Sequence, residues 1–176
     1  DPIHKVSIMP SGGALGVTQT LPNEEMLNLS TERANNFIAF LLGGRCAEEL
    51  IFNERTNGAS NDIEVATNIA REMVTEYGMS AIGPINIKKA PAFGYSRDEG
   101  SEISEALQAK IDTEVKKIMD TAYTQAKQML NKNRAKLDKV AKALLEKETL
   151  DTPEFEKIVG KKKFTEPVYS TSPVLA

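Results

Sequence analysis

Thr56-Asn57-Gly58-Ala59-Ser60-Asn61-Asp62-Ile63-Glu64-Val65-Ala66-Thr67 packs a turn, a helix start and an acidic residue into one short stretch. Gly58 relaxes the backbone ahead of the helix. Ser60 or Asn61 is expected to cap it, accepting a bond from an orphan backbone N–H. Asn61 with Glu64 three residues on has the spacing of a capping box. Asp62 then falls in the first turn, where the helix dipole favours a negative charge. Ile63, Ala66, Ile69, Ala70, Met73, Val74 and Tyr77 recur at helical spacing, so the helix is expected from Asp62 to Tyr77 with that stripe in the core. Gly78 follows as a left-handed C′ residue. On this reading alone Asp62 is a helix-start carboxylate.

Upstream, Glu24 to Glu54 carries a helical pattern in Ala34, Phe37, Ile38, Leu41 and Leu42, resumed by Ala47, Leu50, Ile51 and Phe52. Gly43-Gly44 interrupts it. Two adjacent glycines in a helix cost about 1 kcal/mol each relative to Ala, so they read as a site of close backbone approach. Further upstream, Asp1 to Pro10 alternates as a strand. Ser11-Gly12-Gly13 is a turn signal, and Ala14 to Thr20 is a second extended run closed by Pro22, so a hairpin is expected. Downstream, Met79 to Pro84 is a loop, Ile85-Asn86-Ile87 a short strand, and Lys88 to Gly100 an irregular connection. From Ser101 the composition turns to Glu, Lys, Ala and Gln. Ile103, Leu107, Ile111, Val115, Ile118, Met119, Ala122, Ala126 and Met129 mark a helix of about 28 residues by their period. Asn131 to Asn133 breaks it. A second helix runs from Arg134 to Glu146 with Leu137, Val140, Ala141, Leu144 and Leu145 inward. Thr152 caps a third, with Pro153 at N1 and Gly160 past its end. These helices pack antiparallel in the simplest arrangement. The fold class is therefore mainly α, with a small N-terminal β-hairpin and a C-terminal helical bundle.

The 176 residues suit one domain with a real core. A net charge of −3 argues against a nucleic-acid partner bound through phosphate neutralisation. The single cysteine, Cys46, makes no internal disulfide and suits a reducing compartment. No apolar run approaches the roughly 20 residues a membrane span needs, and no signal peptide opens the chain.

The opening stretch resembles the T-T-G-A-S-N-D-x-x-x-A-T signature of the FtsH family, the membrane-bound ATP-dependent zinc proteases. Three more segments agree in order: His4-Lys5-Val6-Ser7-Ile8-Met9-Pro10, Leu42-Gly43-Gly44-Arg45-Cys46-Ala47-Glu48-Glu49-Leu50, and Met73-Val74-Thr75-Glu76-Tyr77-Gly78-Met79-Ser80. The similarity runs from about Ile3 to Gly160. It implies that Asp62 is the third zinc ligand and that Glu48 orients a zinc-binding histidine. It also implies that Gly13, Ala14, Leu15, Gly16, Val17 and Thr18 form a strand edge that holds extended substrate by main-chain hydrogen bonds. From residues alone that segment is a small structural hairpin. Two positions depart from the family pattern: Ser11 stands where Arg is usual, and Asn57 where Thr is usual.

Zinc proteolysis needs three protein ligands, a water and a base, and a helical H-E-x-x-H supplies two ligands and the base. This chain has one histidine, His4, and no such motif. A lone strand histidine and a lone helix cysteine read as ordinary packing residues, not as replacement ligands beside Asp62. In the family the motif lies just upstream of the segment matching Asp1 to His4, and the ATPase module, with its Mg-ATP site, lies upstream again. The resemblance thus implies an FtsH-like peptidase domain over 1–160, with an active-site part at 1–100, C-terminal helices at 101–160 and a flexible tail at 161–176. It implies a catalytic helix supplied from outside the chain, which is then expected to be inactive alone. It further implies a homo-hexamer, unfolded membrane and cytoplasmic proteins as substrates, and a membrane anchor upstream at the cytoplasmic face of a bacterial inner membrane or an organelle equivalent. The alternative is a non-catalytic helical oligomerisation or interaction module derived from the same fold.

Overall fold

The computed structural model describes residues 3–10, 16–20, 28–87 and 103–161. The expected Ser11–Gly13 turn, Gly13, Ala14 and Leu15 of the substrate edge, Pro22, the 88–100 connection and the tail beyond Lys161 lie outside those residues. The described residues fall into two units, one drawn from Asp1–Glu25 with Ala135–Ala176, the other from Met26–Arg134.

The second unit is helical. α1 (Thr31–Leu41) begins at Ser30, whose hydroxyl accepts the Arg33 amide. α2 (Gly43–Phe52) follows after a single residue, Leu42, which ends one helix and opens the next. The Gly43-Gly44 pair is not a close-approach site: a Cβ at either would meet nothing within 4 Å. The glycines instead form the first two residues of α2. α2 ends at Asn53, left-handed at φ 52°. A 3-10 turn at Asn57–Ala59 leads directly into α3 (Ser60–Thr75). α4 (Glu105–Lys132) has the expected 28 residues, capped by the Ser104 hydroxyl on the Leu107 amide. It packs on α1, α2 and α3. Their shared core holds Ala34, Ile38, Leu42, Cys46, Ala66, Ala70, Met73, Val74, Ile111, Val115, Ala122 and Ala126. The small residues among them let helix axes approach, and the larger ones fill the space between.

The α3 stripe is core as its period requires, apart from Tyr77, which lies past the helix end and is exposed. Gly78 is left-handed at φ 62°. Ile85 to Ile87 is not a strand. The Ile85 amide bonds to the Gly83 carbonyl at 2.9 Å, and the Ile87 amide to the Thr75 carbonyl at 2.7 Å, which pins the segment to the end of α3.

The first unit is built on β1 (Ile3–Ser7). β2 (Val17–Thr20) pairs antiparallel along one side, as the hairpin reading requires, with Val6 opposite Thr18 and Ser7 opposite Val17. A third strand, β3 (Thr149–Asp151), pairs antiparallel along the other side, giving the order β2-β1-β3. β3 follows α5 (Arg134–Lys147) through Glu148, left-handed at φ 60°. In α5, Leu144 is buried, but Leu145 is 77% exposed and Ala141 is exposed too, so the inward stripe is narrower than expected. Leu145 is one residue, about 100° of helical rotation, from Leu144. α6 (Thr152–Val159) is capped by Asp151, not Thr152, in a reciprocal box with Glu154. The Thr152 hydroxyl is engaged instead with the carbonyls of Ile3 and His4, at 2.9 and 3.1 Å. Gly160 closes α6 at φ 91°.

Candidate functional site

Asp62 sits in the first turn of α3 and is half-buried. Neither Ser60 nor Asn61 caps this helix. Its N-cap is Ala59, which has no side-chain oxygen to offer. The capping box expected from Asn61 and Glu64 is absent for the same reason: both residues already lie inside the helix. The start of α3 is held from outside, through the preceding turn.

That hold comes from α2. The Glu48 carboxylate accepts the Thr56 hydroxyl on Oε1 at 2.6 Å and the Thr56 amide on Oε2 at 3.4 Å. Arg45, one turn earlier, donates from Nη2 to the Thr56 carbonyl at 2.5 Å. Its Nη1 lies 3.3 Å from Glu48 Oε2, an ion pair without hydrogen-bond alignment. Thr56 Oγ1 also accepts the Gly58 amide at 3.1 Å, which caps the 3-10 turn. Gly58 is present for space and not for backbone freedom. A Cβ there would lie 3.3 Å from Thr56 Oγ1 and 3.6 Å from Glu48 Oε1, while its φ is not left-handed. The Thr56 hydroxyl bond holds the Glu48 carboxyl below the ordinary carboxylate range, with Arg45 adding to the effect. Glu48 is therefore an anion at neutral pH. A carboxylate has about four lone-pair sites, so Glu48 retains capacity for one more donor.

Glu49, next in sequence, faces a different partner set. It accepts the Tyr123 hydroxyl and Arg55 Nε (2.7 Å), with Lys127 at 3.7 Å. The Tyr123 bond chiefly lowers the Glu49 pKa, and Glu49 in turn raises that of Tyr123. Lys127 also lies 5.7 Å from the Tyr123 ring centre. This cluster ties α2 to α4. The sequence reading missed it because its members are spread from position 49 to position 127. Thr56 and Arg45 were missed for a related reason. Both stand in the family-like motifs, but nothing local shows that they meet.

Of the other residues singled out, Cys46 is fully buried against α4, its thiol 3.8 Å from the Tyr123 carbonyl, and burial pushes its pKa up. That is the packing role its sequence context suggests. His4 is exposed on β1. Among the described residues β2 is an edge strand of the sheet, with Gly16 just before it, and every β2 residue is exposed. Gly16 has a spatial reason of its own, since a Cβ there would come within 3.0 Å of the Ser7 carbonyl oxygen.

Asp62 makes no hydrogen bond or ion pair with the described residues, so its oxygens are available to a cation. A half-buried carboxylate of this kind fits one position of a zinc site. Among the described residues, no three His, Cys, Asp or Glu side chains stand together as a complete ligand set.

Comparison with known proteins shows the family. The model of peptidase family M41 matches residues 1–158. An ATP-dependent zinc metalloprotease FtsH 1 of Bdellovibrio bacteriovorus is 51% identical over 165 residues, covering 91% of this chain and 25% of that protein. FtsH 4 of Sorangium cellulosum is 45% identical, covering 91% of this chain and 26% of its own length. FtsH 1 of a Thermoanaerobacter species is 48% identical, covering 89% and 26%. The chain thus spans about a quarter of the length of these relatives. With the match running across both units, from the first strand to the last helix, this chain belongs to peptidase family M41, the family of the FtsH zinc metalloproteases.

Proposed function

We propose that this chain supplies one zinc ligand, Asp62, and one substrate-binding edge, Gly13 to Thr18, to a zinc endopeptidase centre. The two imidazole ligands and the general base come from residues outside this sequence. The observation that carries the reading is the half-buried Asp62 carboxylate, free of partners among the described residues and held at a helix start by a turn that α2 grips from the side.

The zinc, when bound, activates a water and polarises the scissile carbonyl. The chain's own residues do the rest of what it contributes. Asp62 offers a carboxylate oxygen as ligand. Glu48, with lone-pair capacity left beyond Thr56 and Arg45, accepts an N–H from a ligating imidazole and so fixes that ring. β2 leaves its outer edge without a strand partner among the described residues, and an extended polypeptide pairs there by backbone hydrogen bonds. Backbone pairing selects for unfolded chain and tolerates many side chains, which suits a protease acting on unfolded proteins. ATP-driven unfolding with Mg-ATP, a hexameric ring and a membrane anchor are proposed for the longer protein. No helix among the described residues is long and apolar enough to cross a membrane.

The test is zinc per chain after dialysis against metal-free buffer, with hydrolysis of unfolded casein as the second readout. This chain alone should hold close to none and cleave nothing. Joined to an H-E-x-x-H segment it should hold one zinc and cleave casein, and Asp62→Asn should remove both. One zinc per chain on the isolated sequence would overturn the division of ligands.

A further inference from the structure

We propose that Thr56 is a positioning residue for Asp62. It is the link through which α2 sets where the first turn of α3 presents its carboxylate. The proposal rests on Asp62 being a metal ligand.

Three observations carry it. First, α3 has no cap of its own, since Ala59 occupies the N-cap. A helix start without a side-chain cap frays unless something else holds it. Second, Thr56 is held at all three of its hydrogen-bonding groups by one element. Its amide and hydroxyl go to Glu48, and its carbonyl accepts from Arg45. Third, the hydroxyl works in both directions. It donates to Glu48 Oε1 and accepts the Gly58 amide, so the grip of α2 passes into the 3-10 turn. The turn runs into α3 without a break, its last bond joining the Ser60 amide to the Asn57 carbonyl. Asp62 stands two residues further on. Among the described residues, no other side chain at this turn makes that relay.

The chemistry specifies the test. Serine keeps a hydroxyl that can donate and accept. Valine keeps the shape and does neither. In the intact protease bearing this sequence, zinc affinity is measured by competition with a chelator for wild type, Thr56→Ser, Thr56→Val and Asp62→Asn. Thermal midpoints are recorded beside them. Loss of a group that orients a metal ligand weakens binding about 10–100-fold, which is the effect expected of Thr56→Val. Thr56→Ser should stay close to wild type. Wild-type zinc affinity in Thr56→Val, with Asp62→Asn losing zinc, would overturn the positioning role and leave the ligand reading intact. Undiminished zinc in Asp62→Asn would instead sink the ligand reading itself. A valine variant that weakened zinc no more than the serine variant, at whatever thermal midpoint, would also overturn the proposal. Where Thr56→Val does not fold, Arg45→Gln carries the same question by releasing the Thr56 carbonyl. Weaker zinc then supports the link, and unchanged zinc overturns it.

Discussion

Gly78 joins a left-handed φ of 62° to a crowded setting, since a Cβ there would lie 2.7 Å from Pro84 Cα. Both features oppose any side chain. Gly78→Ala should destabilise the fold by roughly 1–3 kcal/mol, combining the left-handed penalty with a clash against backbone. A denaturant midpoint equal to wild type would refute that. Asp151 shows the opposite case, in which the side chain itself is the stabilising group. It accepts the Glu154 amide at 2.9 Å while Glu154 reaches back to the Asp151 amide at 3.3 Å. Asp151→Ala should cost about 1 kcal/mol, and Asp151→Ser should recover most of it. Equal melting of the two variants would show that the cap is idle. At Gly58 the constraint is milder, a matter of tenths of an ångström beside two oxygens that can shift. Its replacement by Ala should act on the Thr56 contact and not on backbone strain.

Between elements, the Glu49 cluster is the polar fastening of α2 to α4. The folded-state pKa of Glu49 is depressed, mainly by the Tyr123 hydroxyl. Its contribution is therefore present above the unfolded carboxylate value and is lost as pH falls through the lower folded value. Tyr123→Phe should lower the thermal midpoint at neutral pH, and the gap from wild type should narrow below about pH 4. A gap that widened in acid would mean that the tyrosine acts through packing instead. Long helices were legible at this scale because their period repeats many times, as in the eight apolar positions of α3 and α4 that became buried core. The shortest strand was not. β3 has three residues, too few for a pattern, and exists because β1 had an unpaired side. The cap of α3 was misread because Ser60, Asn61 and Glu64 carry a local signal that the grip on Thr56 outranks. The same limit applies to the site: Asp62 and Glu48 stand in recognisable motifs, whereas Arg45 and Thr56 acquire their roles only once α2 and the turn meet.

At the scale of the whole molecule, the family match covers residues 1–158, yet the chain spans a quarter of the length of its relative from Bdellovibrio bacteriovorus. This chain carries one histidine, so the proposed site takes its two imidazole ligands from residues outside this sequence. The sheet adds a consequence in time. β1 lies near the start of the chain and its partner β3 near the end, with Ser7 and Thr149 bonded across 142 residues. Closing so long a loop costs roughly 4 kcal/mol of chain entropy when the spacer is flexible, so this pairing is the slow one. α1 to α4, with nearer contacts, are expected to form before it. Pulse-labelled hydrogen exchange during refolding should protect the core amides of α3 before the Ile8 amide, which bonds to the Glu148 carbonyl. Simultaneous protection would show that the two ends meet early. The side of β1 that meets β3 is thus among the last to find its partner.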